Sequence, residues 1–125
     1  MRKVSVALHK GSGENDALVR LLDELNEHAV IVEGKRDVAA LSRIGVRACV
    51  MTLDRAERSG TPPGMPAVIL TDFDRSGEIK AAKAEAFLVS RGVRVNTALR
   101  ERFRRIFGTL TIEDVPYIFG RLLGK

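Results

Sequence analysis

AVIVEGKRD, at residues 29–37, decides the fold: an apolar run of four residues ends in a cluster of charged side chains. The run has no polar alternation, which is typical of a parallel strand covered on both faces. A second segment, AVILTDFDRSG at residues 67–77, repeats the arrangement. A stretch with helical periodicity follows each segment. Because open α/β sheets bind ligands at the carboxyl ends of their strands, both clusters are expected at one edge of a sheet.

The rest of the chain predicts further strands and helices in alternation. Strands are predicted at residues 29–32, 46–52, 67–71 and 93–96, and helices at residues 14–27, 37–45, 75–90, 98–107 and 112–123. This order predicts a compact, Rossmann-like α/β fold, with a four-stranded parallel sheet flanked by helices on both faces. The 125 residues fit a single domain spanning residues 1–125.

Apolar periodicity predicts which face of each helix is buried. On the helix at residues 75–90, the predicted buried face consists of Ile79, Ala82, Ala86 and Val89. For the helices at residues 14–27 and 98–107, it consists of Leu18, Leu21, Leu22, Leu25, Leu99, Phe103, Ile106 and Phe107. Residues 53–66 are predicted to form a loop with one helical turn, because they are rich in Gly and Pro. In residues 1–13, the alternation of Val4, Val6 and Leu8 predicts an edge strand or a loose arm.

Composition limits the classes of protein and partner. The net charge of +5 and the pI of about 9.9 favour polyanionic partners, meaning nucleic acid or phosphorylated ligands. The sequence has no membrane-spanning run and no signal-peptide pattern, so a cytoplasmic protein without a membrane partner is expected. The single Cys49 excludes an internal disulfide and is predicted to be a buried structural thiol.

The acidic residues have both structural and functional interpretations. Asp37 and Asp74 each precede a helical segment, where a carboxylate commonly caps the helix. Glu33 is harder to account for structurally, because it ends a buried strand and an unpaired buried carboxylate is costly. Three carboxylates converging at the sheet edge, Glu33, Asp72 and Asp74, would suit a hard cation such as Mg²⁺. The adjacent Gly34 and Gly77 would let a ligand approach the backbone.

The strings VIVEGKRD (residues 30–37) and ILTDFDRSG (residues 69–77) together resemble the Toprim domain. That domain is shared by topoisomerases, bacterial-type primases, some nucleases and recombination mediators. The resemblance covers residues 29–96 and is greatest to the small stand-alone Toprim proteins of archaea and bacteria, and to the maturase nuclease that trims small ribosomal RNA. Neither a nucleophilic tyrosine in a gate domain nor the additional primase domains are found, and the sole Tyr117 is predicted to be a packing residue.

The resemblance implies roles for particular residues. Glu33 matches the family's general acid or base, and Lys35 matches a residue that assists it. Asp72 and Asp74, together with Glu33, match the residues that hold Mg²⁺. Mn²⁺ is the alternative ion. Gly34, Asp37, Ser76 and Gly77 match supporting positions. Phosphodiester chemistry needs both a neutralised phosphate and a positioned proton carrier, which such a set supplies.

Basic side chains near these motifs suggest contacts with nucleic acid. The candidates are Arg36, Arg75, Lys80, Arg100 and Arg104. For the arginines of residues 100–105, a solvated helix face is an equally good interpretation. His9 and His28 are isolated and are predicted to be surface or packing residues.

Three functions remain open from the sequence. The first is a Mg²⁺-dependent nuclease or phosphotransferase acting on RNA or DNA. The second is a non-catalytic nucleic-acid-binding or scaffold module in a larger RNA- or DNA-processing complex with other proteins. The third is a phosphatase of the haloacid-dehalogenase type, suggested by the D-x-D-x-S pattern of residues 72–76, in which the first Asp attacks phosphorus. The sequence does not choose between RNA and DNA, or indicate an oligomeric state.

Overall fold

The computed structural model describes residues 13–124, with side chains from residue 16 onward. Val4, Val6 and Leu8, on which the predicted edge strand or loose arm in residues 1–13 is based, lie outside the described residues, as does His9. The elements are α1 (Gly13–Leu25), β1 (Ala29–Val32), α2 (Lys35–Arg43), β2 (Val50–Thr52), α3 (Leu53–Ser59), β3 (Ala67–Ile69), α4 (Arg75–Ser90), α5 (Thr97–Phe107), a 3₁₀ turn (Ile112–Asp114) and α6 (Val115–Leu123).

The sheet confirms the predicted α/β architecture but is smaller than predicted. Its three strands run parallel in the order β2-β1-β3, and Val30 of β1 lies opposite both Val50 and Val68. The predicted strand at residues 93–96 is reduced to a bridge between Val95 and Ala67. It stops there because the Asn96 side chain accepts a hydrogen bond from Leu99 N–H and so begins α5.

The sheet separates two layers of helices, and alternate residues of β1 and β3 face opposite layers. Val30, Val32 and Val68 pack with α1, α2, α5 and α6, while Ala29 and Ile31 pack with α3 and α4. The predicted inward leucines of α1 are buried, as are three of the four residues predicted for α5, with Ile106 partly buried against the same cluster. Phe103 is fully buried and lies 4.7 Å from Phe107 between ring centroids. The sheet is therefore covered on both faces, as the absence of alternation predicts.

β2 begins four residues later than predicted, at Val50 instead of residue 46. The Asn26 side chain accounts for the difference, because its Oδ1 accepts hydrogen bonds from Arg47 N–H and Ala48 N–H, both at 3.1 Å. Its Nδ2 donates to Gly45 O at 2.9 Å. These bonds satisfy the backbone of residues 45–48 without a neighbouring strand.

Two predictions for helices were wrong. Residues 53–59 form the two-turn helix α3 instead of a loop with one turn, because Thr52 Oγ1 accepts from Arg55 N–H and Asp54 pairs with Arg58 along the helix. The predicted buried face of α4 is exposed, with Ile79 at 49% and Val89 at 56% of their full accessibility. α4 instead buries its small residues and Leu88; the buried set is Gly77, Ala81, Ala84 and Leu88.

Three local predictions near the surface also changed. Tyr117 is 68% exposed and is therefore not a packing residue; the Arg121 guanidinium lies over its ring. The predicted helix at residues 112–123 is divided into the 3₁₀ turn and α6, with Pro116 in the first turn of α6. Cys49 is partly buried, not fully, and burial raises the pKa of its thiol while Arg55 opposes that increase.

Candidate functional site

Glu33 and Asp72 meet at the carboxyl end of the sheet, where β1 and β3 end side by side. The backbone N–H of Asp72 donates to Glu33 Oε2 at 3.0 Å. The other carboxylate oxygen, Glu33 Oε1, accepts from Lys80 Nζ of α4 at 2.9 Å. Parallel pairing of β1 with β3 brings together these residues, which are 39 positions apart in the sequence. The two acidic motifs therefore form one site.

Asp72 is also held by the C-terminal part of the chain. Its Oδ1 accepts a hydrogen bond from Ile112 N–H at 2.9 Å, and the next residue, Phe73, donates its N–H to Leu110 O at 2.7 Å. The segment at residues 110–112 is thus a wall of the site that the sequence reasoning missed. No periodicity or motif marks this segment; it is recognisable only once the fold is known.

Asp74 and Gly77 have structural roles at the start of α4. Asp74 is the N-cap of α4, and its Oδ1 accepts from Gly77 N–H at 2.7 Å. Gly77 is buried against Asp72, whose carbonyl oxygen would lie 1.9 Å from a Cβ added at Gly77. The Thr71 hydroxyl donates to Gly77 O at 2.7 Å and ties the two segments together. Glycine at position 77 is therefore required by packing within the protein.

Gly34 has no comparable structural requirement. It is the N-cap of α2 with φ −153° and ψ −179°, an extended conformation that any residue adopts. Nothing lies within 4 Å of a Cβ added at this position. Its N–H donates to Asp37 Oδ2 at 3.3 Å, so Asp37 caps α2 from the third position instead of preceding the helix. The space in front of Gly34 is open to a ligand.

The site has an excess of negative charge. Burial raises the pKa of Asp72, the hydrogen bond from Ile112 N–H opposes this, and Glu33, Asp74 and Glu113 raise it further. Burial likewise raises the pKa of Asp37, against the bond from Gly34 N–H, and the carboxylates of Asp72, Glu113 and Glu33 add to the increase. Glu113, an exposed residue of the 3₁₀ turn, is the fifth carboxylate of this group. Five carboxylates therefore repel one another at this edge, a field that attracts cations.

Arg100 reaches the same edge from α5 but is turned into the protein. Its Nη1 donates to Ile69 O at 3.0 Å and Thr71 O at 2.9 Å, and its Nη2 donates to Asp72 O at 3.2 Å. The guanidinium also lies 4.5 Å from the centre of the Phe73 ring. Only 11% of the side chain is exposed, and Nη2 pairs with Glu78 at 3.2 Å. Arg100 therefore fixes the backbone that carries Asp72.

The other predicted basic and supporting residues are dispersed around the site. Lys35, Arg36, Arg75 and Ser76 are exposed at the starts of α2 and α4. The hydrogen bond with Glu33 raises the pKa of Lys80. Arg104 is occupied by an ion pair with Glu101 on α5. The structure thus brings Lys80 to the carboxylates and leaves the side chains at the two helix starts facing solvent.

His28 is a buried packing residue at the opposite end of β1. Its Nδ1 lies 2.7 Å from Glu24 O and its Nε2 lies 3.1 Å from Asn96 Nδ2, so both ring nitrogens have partners. This confirms the packing interpretation. No helix within residues 13–124 has the length and apolar character needed to cross a membrane.

Comparison with known proteins places the chain among archaeal relatives. No family profile matches it. A UPF0292 protein of Thermococcus onnurineus is 41% identical over 110 residues, covering 82% of this chain and 81% of the relative. A UPF0292 protein of Methanosarcina barkeri is 33% identical over 114 residues, covering 83% of this chain and 79% of the relative.

The chain belongs to the UPF0292 family. The same architecture occurs in a solved structure of an Aquifex aeolicus protein, with a TM-score of 0.66 and 27% identity, covering 79% of this UPF0292 chain and 94% of the other. The similarity therefore extends over most of the described fold.

The donor atoms of the UPF0292 site are those that a hard divalent cation prefers, namely carboxylate oxygens. Among residues 13–124, no three His, Cys, Asp or Glu side chains are already positioned to hold a metal ion together. Glu33 Oε1 already accepts a hydrogen bond from Lys80 Nζ. Asp74 Oδ1 accepts one from Gly77 N–H, and Asp72 Oδ1 accepts one from Ile112 N–H. The residue types fit Mg²⁺, and binding would require these side chains to move, since no three of them are already arranged around one point.

Proposed function

We propose that this UPF0292 protein is a Toprim-type protein that binds Mg²⁺, with Mn²⁺ as the alternative ion, and cleaves or transfers phosphodiesters of RNA or DNA. One observation carries the proposal: the 3.0 Å hydrogen bond from Asp72 N–H to Glu33 Oε2 joins the two acidic motifs into one site. The bridge between Val95 and Ala67 lies where the fourth strand of a Toprim-like sheet would add to β3.

Asp72, Asp74 and Glu33 would hold the cation. Burial raises the pKa of Asp72, and the neighbouring carboxylates of Glu33, Asp74 and Glu113 raise it further. A divalent ion would relieve that repulsion, which supports this assignment. A bound Mg²⁺ supplies neutralising charge for a phosphate at this edge. The ordinary role of Asp74 as N-cap of α4 uses one oxygen, Oδ1.

Glu33 is the residue proposed to carry a proton to or from the reacting hydroxyl. Lys80 and Asp72 N–H fix its orientation, and 22% of its side chain is exposed, so a substrate can reach it. Gly34 follows Glu33 in the chain, and the open space beside Gly34 gives a phosphodiester room to approach. Exposed Lys35, Arg36 and Arg75 at the helix starts supply positive charge for that approach.

The test uses labelled RNA and DNA, single- and double-stranded, with Mg²⁺ or Mn²⁺. Cleavage is expected with metal and is expected to be abolished in Glu33→Gln and Asp72→Asn. Asp54→Asn is the matched control, because Asp54 is an exposed carboxylate of α3 that pairs only with Arg58 among the described residues. Cleavage that persists undiminished in both site variants would overturn the proposed site.

A second candidate function is a non-catalytic nucleic-acid-binding or scaffold module. It is favoured by one observation: both Glu33 oxygens already have partners within the protein, Lys80 and Asp72 N–H. In that case the same substrates bind, and no product forms with either metal. Binding without turnover across the substrate panel therefore separates the two functions.

A further inference from the structure

Three adjoining concavities surround the loop at residues 60–66, at the opposite end of the sheet from the carboxylates. The first, of about 410 Å³, lies between this loop and the end of α4. The second, of about 490 Å³, lies beside the start of β2 and shares Gly60, Thr61, Pro62 and Pro63 with the first. The third, of about 330 Å³, lies below the starts of β1 and β3 and shares Pro66 and Arg94 with the first. We call this set the amino-end groove.

The charged side chains that line the amino-end groove are all positive. Arg91 and Arg94 line the first concavity, and Arg47 and Arg55 line the second. All four side chains are exposed. Within the described part of the chain, no Asp or Glu lines any of the three concavities. The groove is thus the electrostatic opposite of the Glu33–Asp72 edge.

Local contacts within the fold account for only one of these four arginines. None of the four forms an ion pair with a described residue, whereas Arg58 pairs with Asp54 and Arg104 with Glu101. Arg55 lies in the first turn of α3, where the helix dipole disfavours a positive charge. Arg47 and Arg94 lie in connecting segments that carry no helix dipole. Only Arg91, at the end of α4 and over the Phe87 ring, has a local structural role.

We propose that the amino-end groove binds the phosphate backbone of a nucleic-acid strand. A linear polyanion matches a row of concavities with arginines along it, since guanidinium groups hold phosphates through paired hydrogen bonds. The site is separate from the carboxylate edge, so it holds a part of the substrate remote from any reacting phosphodiester. The proposal rests on nucleic acid being the ligand of this protein and does not depend on catalysis.

The test measures binding of a fluorescein-labelled 20-nucleotide RNA and the equivalent DNA by anisotropy, in EDTA so that no cleavage interferes. Arg91→Gln/Arg94→Gln is compared with Arg105→Gln/Arg121→Gln, which removes the same charge from exposed positions on α5 and α6. The groove pair is expected to lose at least tenfold in affinity and the control pair less than threefold. Each phosphate contact to a single strand contributes about 0.7 to the slope of log affinity against log salt, so the groove pair lowers that slope by about 1.4.

Arg47→Gln/Arg55→Gln provides a second groove variant if the first folds poorly, and is expected to weaken binding similarly. Equal losses in groove and control variants would overturn the proposal, because net charge alone would then account for binding. Equal affinity for a poly-glutamate peptide would also overturn it, in favour of an acidic protein partner. Asp54→Asn, which removes an exposed carboxylate outside both sites, should bind as the wild type does. Cleavage without an effect of the groove variants would refute only the groove. Binding that depends on the groove, without cleavage, would refute only the proposed catalysis.

Discussion

Gly77 lies directly against the backbone carbonyl of Asp72, and a Cβ at Gly77 would come within 1.9 Å of that oxygen. The contact sets how closely α4 approaches the loop that carries the acidic motif. It also makes this glycine a steric requirement of the site, independent of any ligand.

Gly77→Ala is therefore expected to destabilise the protein by about 1–3 kcal/mol, because the clash is with backbone and something must move. Gly120→Ala on α6 is the matched control, since nothing lies within 4 Å of its added Cβ. Alanine is the better helix former, so the control is expected to stabilise the protein by about 0.5–1 kcal/mol. Urea unfolding measures both, and equal effects of the two substitutions would contradict the steric interpretation.

Gly34→Ala is expected to change the free energy of unfolding by less than about 1 kcal/mol, because its conformation is extended and its surroundings are open. If a phosphodiester approaches the backbone there, cleavage or binding of nucleic acid falls while stability is retained. The check is a comparison of the urea midpoint with the RNA and DNA assays on the same variant. Unchanged binding and cleavage would show that ligands do not use this space.

Asp72→Asn is expected to stabilise the metal-free protein at neutral pH, by on the order of 0.5 kcal/mol. The pKa of Asp72 is raised in the folded state, so the folded protein binds this proton more tightly than the unfolded chain does. The stabilisation that the proton provides is present at low pH and is lost as the pH rises through the raised pKa. The advantage of Asn should therefore disappear below about pH 4.

Urea titrations of both proteins in EDTA between pH 4 and pH 7 measure this difference. Added Mg²⁺ should reverse the order, because a ligand at 100 times its Kd stabilises the folded state by about 2.7 kcal/mol. The wild type is expected to gain from Mg²⁺ and the variant is not. A variant that gains as much as the wild type would remove Asp72 from the proposed metal site.

Arg100→Ala is expected to cost about 2–4 kcal/mol, since it leaves the carbonyls of Ile69, Thr71 and Asp72 without their donor. Arg105→Ala, on the exposed side of the same helix, is expected to fall within about 0.5 kcal/mol of the wild type. Thermal unfolding of the two variants provides the comparison. Equal loss in both would mean that the buried guanidinium contributes no more than a surface charge.

The strands that carry the acidic motifs were predictable because a short apolar run without alternation, followed by a turn and a helical pattern, is typical of a strand covered on both faces. The buried face of α4 was not predictable from the sequence, because alanines occur on both sides of that helix. Ile79 and Val89 indicate that their own side is buried, whereas the structure exposes it. The deciding factor is the close approach of Gly77 to Asp72, which periodicity does not measure. Likewise, β2 is shorter than predicted because Arg47 N–H and Ala48 N–H donate hydrogen bonds to Asn26 Oδ1, about twenty residues earlier in the chain.

Glu33 and Asp72 were predictable as site residues because each comes just after a predicted strand. The parts of the site that depend on contacts between distant segments of the chain were not predictable. Ile112 and Asp72 are 40 positions apart, and no pattern in either segment indicates their hydrogen bond. Arg100 shows the same limit in reverse: the sequence groups it with surface arginines, and the structure buries it beneath Asp72.

The hydrogen bond from Ile112 to Asp72 also determines how much of the chain is needed for a complete site. A truncated chain ending before residue 110 would retain both acidic motifs and lose the partners of Asp72 and Phe73. Transplanting the two motifs into another protein would likewise transfer the carboxylates without residues 110–112, whose backbone holds Asp72 and Phe73 in place. The smallest transferable unit of this protein is therefore set by its C-terminal segment, not by its motifs.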